Sequence, residues 1–186
     1  QSFSRDRVGG RWPAPPLSLR WFDAQGVCDP VDFSILGELD MSYPAVLNLG
    51  AGKKILGGCI NHDCRPRPGI DVVHDLNLYP WPWETNTFHK IVAHHVLEHL
   101  WDRLKTLEEL WRIARPFATI DILVPDAAHP EMWKDPTHRS AWRLGTLDYF
   151  VEGHGFNFYT DARFEIIIRH YDEERLWLYW VLLVIK

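Results

Sequence analysis

Ala45-Val46-Leu47-Asn48-Leu49-Gly50-Ala51-Gly52 is a short apolar run that ends in a glycine turn. A run this short, bounded by turn residues, reads as a strand buried on both faces. The glycines flanking Ala51 permit a tight turn and let the backbone approach a ligand closely. Outward from this point the alternation continues. Cys59-Ile60-Asn61-His62-Asp63 is a weak second strand ending in an acid, and Asp71-Val72-Val73-His74-Asp75-Leu76 is a third. Lys90-Ile91-Val92-Ala93 is a fourth, and Thr119-Ile120-Asp121-Ile122-Leu123-Val124 a fifth, stopped by Pro125.

Between the fourth and fifth strands, Leu97, Leu100, Leu104, Leu107, Trp111 and Ala114 recur at helical spacing and predict one amphipathic helix. Glu108 and Glu109 precede Arg112 on its wet side, and Pro116 is expected to end it. Phe164–Ile168 and Leu176–Ile185 flank the polar stretch Arg169–Glu174 and predict an antiparallel hairpin. The whole is an α/β pattern with a mostly parallel sheet and a C-terminal antiparallel hairpin. Only eight residues, Ala51 to Gly58, separate the first two strands. A crossover with its helix needs at least about 10–12, so the first crossover helix is expected to be shortened or missing.

The 186-residue chain carries 20 Lys+Arg against 25 Asp+Glu, a formal net charge of −5, with 46% apolar and 24% charged residues. This fits one globular domain with a sizeable core and excludes disordered, collagen-like and low-complexity chains. Residues 1–44, rich in Pro, Gly and polar side chains with one short helix near Val31–Leu39, are expected to form an arm or lid. Residues 45–186 are expected to form the domain. The acidic balance and the absence of a basic stripe argue against nucleic acid as a partner. Arg5, Arg7, Arg11 and Arg20 are dispersed along the arm and read as solvated. Cys28, Cys59 and Cys64 form no CxxC pair, which suggests neither a disulfide framework nor a cysteine zinc site and fits a reducing, cytoplasmic setting. Gln1-Ser2-Phe3-Ser4 has no apolar h-region and is expected to be a trimmed start, not a signal peptide. The longest apolar run, Leu176–Ile185, is half of the about 20 residues a membrane helix needs, so no membrane association is expected. Aromatic residues make up 13%, including 10 Trp. They fit a packed core, a stacking site or an interface.

In open α/β sheets ligands bind beyond the carboxyl ends of the strands. There Gly50 and Gly52 form the turn, and Asp63 is placed to accept hydrogen bonds from a ribose diol. Asp75, beside Leu76 and Asn77, could receive an adenine amino group. Taken singly, a GxG is a frequent turn and a terminal Asp commonly caps one. The ordered series carries more weight.

Val46–Gly52, Asp63, Asp71–Asn77 and Phe88–Leu100, the last containing Val96-Leu97-Glu98-His99-Leu100, resemble class I S-adenosylmethionine-dependent methyltransferases of the type-11-like branch. The similarity continues through Thr106–Arg115 and Val124-Pro125 into Asp135-Pro136-Thr137-His138. It implies a Rossmann-like fold, S-adenosylmethionine as cofactor, and a small-molecule or biosynthetic-intermediate acceptor. It further implies that Asn48, Gly50, Ala51 and Gly52 adjoin the methionine part and Asp63 the ribose. Asp75, Leu76 and Asn77 would adjoin the adenine, and His94 and His95 would close near the transferred methyl. The chain departs from the family at Asn48, where many members carry an acid, at Lys54, and at Phe117-Ala118 in place of a Gly-Gly turn.

The catalytic candidates are His95, His129 and His138. The last two belong to a polar cluster, Asp126, His129, Glu131, Asp135 and His138, in the loop after the fifth strand, where they could act as general bases. Turn and capping chemistry explains that cluster equally well. Trp133 and Trp142 could wall the same pocket. Trp81-Pro82-Trp83 could cover an adenine edge or plug the sheet. Two other functions remain open: a cofactor-binding protein of this fold without transferase activity, and a zinc hydrolase through His95, Glu98 and His99 in an HxxEH pattern. The pattern follows a strand directly and shows no distal ligand, so no metal is expected at the site.

Overall fold

The computed structural model describes residues 46–186. The expected arm at 1–44 and the helix near Val31–Leu39 lie outside these residues. One seven-stranded sheet organises the rest, in the order β3-β2-β1-β4-β5-β7-β6. β1 (Val46–Leu49), β2 (Ile60–Asp63), β3 (Val72–Val73), β4 (Phe88–His94) and β5 (Ala114–Pro125) run parallel. β7 (Trp177–Ile185) is antiparallel to both β5 and β6 (Arg163–Asp172). The mostly parallel sheet and closing hairpin match the expected Rossmann-like fold. No helix separates β1 from β2.

Register explains both faces. Leu47, Ile91, Ile120 and Leu182 form one cross-strand row, and Leu49, Ala93, Ile122 and Trp180 the next. All eight join one core with Leu107, Leu110 and Ile113 of α1 (Arg103–Ile113) and with Trp81 and Trp142. Burying each large apolar side chain contributes about 1.5–3 kcal/mol. The alternate row on the opposite face is Asn61, Asn48, Val92, Asp121 and Val181. It is buried too, except that it includes polar groups tied by hydrogen bonds.

The structure corrects several boundaries. The long helix predicted from Leu97 is two pieces: a 3-10 turn at Leu97–His99, then α1, whose N-cap Asp102 accepts from the Lys105 amide. Trp101 falls between them and is 67% exposed, not on the helix's apolar face. Pro116 does not end the helix, because Ala114 already opens β5 opposite Phe88. Pro116 lies where β5 bulges before Thr119 re-enters register with Lys90, a position that tolerates the missing N–H. Phe117 adopts φ 62° there, the conformation a glycine would favour. β6 runs on to Asp172, so most of the polar stretch is edge strand, and only residues 173–176 turn. The third strand shrinks to Val72–Val73, since Asp71 bonds the Asn61 amide and Leu76 turns into the core. Glu109 is not on the wet side. It is buried, bonded to Arg112 at Oε1–Nε 2.6 Å and to the Trp81 amide at 2.6 Å.

Candidate functional site

At the carboxyl end of β1, Gly50 adopts φ +66°, and a Cβ on it would lie 2.5 Å from Val96 Cγ2. Only glycine fits. Gly52 is also at positive φ, +55°, but nothing among the described residues lies within 4 Å of its Cβ position, so they leave that side of the turn open. The turn is tied to β2 twice: the Ala51 amide donates to His62 O at 2.7 Å, and the Gly52 amide to Asp63 Oδ2 at 2.8 Å. Asp63 Oδ1 accepts from the Arg65 amide at 3.0 Å. Burial raises this carboxyl's pKa, but the amides of Arg65 and Gly52 outweigh it and hold it below the ordinary carboxylate value. With the Cys64 thiol bonded to it as well, the carboxylate keeps one lone pair for a ligand hydroxyl. His62, beneath the turn, has its pKa lowered by burial. Its Nδ1 faces the Gly50 amide at 3.4 Å and its Nε2 faces His74 O at 2.9 Å, which fits a neutral ring.

The remaining sequence candidates divide. Asn48 lies under the β1–β2 loop, with Nδ2 donating to Lys54 O and Asn61 Oδ1, both at 2.9 Å. Asp75 accepts from Asn77 at both the amide and Nδ2, an Asx turn, and the Asn77 Oδ1 in turn accepts from the Trp101 amide. The Leu76 side chain is in the core. His94, at the end of β4, has Nε2 2.9 Å from Asp121 Oδ1. His95 follows at φ 53°, with Nδ1 3.4 Å from Glu98 Oε1 and its ring 5.0 Å from Trp177.

His129 is the N-cap of α2 (Pro130–Lys134), where its Nδ1 accepts from the Glu131 amide at 3.0 Å. A neutral ring accepting at Nδ1 carries its proton on Nε2 and has no lone pair left for a base role. His138 instead packs edge-on to His99, ring centroids 4.8 Å apart. The HxxEH reading requires His95 and His99 on one helix, whereas Leu97–His99 is a 3-10 turn entered at positive φ. Trp142 is fully buried, and Trp133 is exposed. Trp81 lies in the core and Trp83 packs against it, with Arg112 donating to both carbonyls, so this loop plugs the sheet.

Sequence reasoning missed Asp121, which accepts from His94 and hydrogen-bonds Tyr179. Its signal was available, as a lone acid inside an otherwise apolar central strand. Burial, with Asp121 beside it, pushes the Tyr179 phenol far up. A cavity of about 670 Å³ opens between Trp101, Arg103, Leu107, Tyr149 and Tyr159, and no glycine-turn residue lines it.

No protein-family model matches the chain, and no curated protein matches it by sequence. Solved structures do match. A chain of the complex between the Haloferax volcanii Trm112 methyltransferase activator and a methyltransferase is 14% identical, with TM-score 0.55, over 76% of this chain and 82% of that one. A SAM-dependent methyltransferase from Aquifex aeolicus is 18% identical, with TM-score 0.50, over 76% and 81%. The N-methyltransferase NodS from Bradyrhizobium japonicum, solved with S-adenosyl-L-homocysteine, is 13% identical, with TM-score 0.50, over 76% and 78%. At these identities the likeness is one of fold: the chain has the Rossmann-like fold of class I S-adenosylmethionine-dependent methyltransferases.

Proposed function

We propose that the protein is an S-adenosylmethionine-dependent methyltransferase of the type-11-like branch. Its acceptor is a small molecule or a group on a larger biosynthetic intermediate. The observation that carries this reading is the Gly50–Gly52 turn, open at Gly52 and tied to Asp63 across the carboxyl ends of β1 and β2. The finer branch assignment rests on Val96-Leu97-Glu98-His99-Leu100.

These residues fit the cofactor. Gly50, Ala51 and Gly52 would hold its methionine part, Asp63 its ribose hydroxyls, and the Asp75–Asn77 turn its adenine. When bound, the cofactor supplies a sulfonium-activated methyl group. The protein's part is then to align the acceptor, exclude water and remove a proton where the nucleophile carries one. His94 is the base this reading favours. Asp121 accepting from Nε2–H leaves Nδ1 as the lone-pair nitrogen and would stabilise the imidazolium that forms. His95 would line the same mouth beside Trp177. The segment 1–44 would serve as the arm or lid. A cytoplasmic, reducing setting goes with this reading, since the three cysteines of the chain form no CxxC pair. No helix of the described residues is long and apolar enough to cross a membrane.

One observation favours the second reading, a cofactor-binding protein without transfer: His129, a sequence candidate for the base, is engaged as a cap. Release of demethylated cofactor against a panel of hydroxyl, amine and carboxylate acceptors separates the two. Turnover with one acceptor, lost in His94→Ala while cofactor affinity stays within twofold, supports transfer. Tight cofactor binding with no turnover on any acceptor supports the second reading.

A further inference from the structure

Just beyond β4, the 3-10 turn at Leu97–His99 carries Glu98 inward, where it is 1% exposed. Its Oε1 lies 3.4 Å from His95 Nδ1, and its Oε2 has no hydrogen-bond partner among the described residues. A buried carboxylate oxygen without a donor is costly unless a cation is beside it. The His138 side chain, 8% exposed, faces the same point with an equally unpartnered Nδ1. One donor atom each from Glu98, His99 and His138 lie within 4.8 Å of one another.

The surroundings prepare His99 for coordination. Thr137 Oγ1 donates to Asp135 Oδ1 at 2.6 Å, so the same oxygen can only accept from His99 Nδ1, at 2.9 Å. That fixes the proton on Nδ1 and leaves the lone pair on Nε2, the outer-shell arrangement typical of metal-bound imidazoles. The two ligand-bearing segments are already locked together. The Arg139 and Ser140 amides donate to Glu98 O at 2.7 and 3.0 Å, and Ser140 Oγ donates to Leu97 O at 3.1 Å.

The geometry points to Glu98, His99 and His138 as a binding site for one divalent cation of borderline character, of the Zn²⁺ or Co²⁺ class. Two imidazoles and one carboxylate suit such ions better than Mg²⁺ or Ca²⁺, which take oxygen-rich sets. Metal–ligand bonds of about 2.0–2.2 Å require the three donor atoms to draw together slightly on binding. The ion would neutralise Glu98 and pin the 135–140 loop to the turn after β4. Unlike the HxxEH reading, this set draws its distal ligand from that loop. His95 does not coordinate but orients Glu98 through Oε1.

The test needs neither cofactor nor acceptor, so it stands or falls apart from the methyltransferase reading. The full chain, stripped with chelator and dialysed, is titrated with Co²⁺ by visible absorption and with Zn²⁺ by calorimetry. One saturable equivalent is expected, with cobalt ligand-field bands and a raised Tm. Glu98→Gln and His138→Ala should each weaken binding by at least a hundredfold, and Thr137→Ala, outside the coordinating set, by about 10–100-fold. His170→Ala, on an exposed part of β6, should leave it unchanged. Absence of a saturable equivalent overturns the proposal. So does an equivalent whose affinity is unaltered by Glu98→Gln and Thr137→Ala, both of which keep the backbone contacts of the turn and loop.

Discussion

His94 Nε2 lies 2.9 Å from Asp121 Oδ1, joining the carboxyl end of β4 to the buried middle of β5. Asp121 also hydrogen-bonds Tyr179 on β7, so one carboxylate links three adjacent strands. Asp121→Ala would leave a half-buried imidazole and a half-buried phenol without their acceptor. The expected loss is about 1–3 kcal/mol of unfolding free energy, read from the denaturation midpoint at unchanged slope. Stability equal to the parent's would show that the link contributes nothing.

The two glycines of the turn should respond differently to a methyl group. Gly50→Ala combines positive-φ strain with a clash against Val96 and should cost on the order of 3 kcal/mol. Gly52→Ala meets only the strain, about 1 kcal/mol. Because Val96 Cγ2 and Cβ, at 2.5 and 2.6 Å, are the obstacle, Gly50→Ala with Val96→Gly should be less destabilised than the sum of the singles. Strict additivity would argue against the close approach.

The clamp between Glu109 and Arg112 fixes the Trp81-Pro82-Trp83 loop to α1 and gives a pH signature. Burial raises the Glu109 pKa, but its bonds from Arg112 and the Trp81 amide prevail and lower it below the ordinary 4.5. A carboxyl lowered in the folded state stabilises fully above its unfolded pKa and loses that contribution as pH falls through the folded value. Glu109→Gln should therefore cost about 2 kcal/mol at neutral pH, and the gap to the parent should narrow below pH 4.5. A gap independent of pH would contradict the assignment.

His62 acts in the same direction at higher pH. Burial lowers its pKa below the ordinary 6.5, so the folded state prefers the neutral ring under the glycine turn. Its contribution is complete above 6.5 and declines as pH falls toward the folded value. In His62→Gln that part of the stability–pH profile should flatten. An unchanged profile would place the titration elsewhere.

Much of the fold was legible because the interior strands are short apolar runs punctuated by glycine, acid and proline. The missing first helix followed from the few residues between Gly50 and Cys59. The helix boundary was not legible, since Leu97 and Leu100 keep helical spacing while Asp102 supplies the cap that starts α1. Phe117 and His95 hold positive φ without being glycine, so tertiary contacts, not local preference, set those turns. At the site, the turn and Asp63 stood out as neighbouring strand ends. The roles of His129 and His138 depended on partners no spacing reveals: an amide for one, His99 for the other.

If the crevice at Gly52 and Asp63 holds S-adenosylmethionine, calorimetric titration of S-adenosylhomocysteine into the full chain detects the site without any acceptor. A saturable one-to-one isotherm is expected, with affinity reduced at least tenfold in Asp63→Asn and lost in Gly52→Val. No binding to the folded parent, or equal binding by parent and both variants, would mean that the crevice does not hold the cofactor.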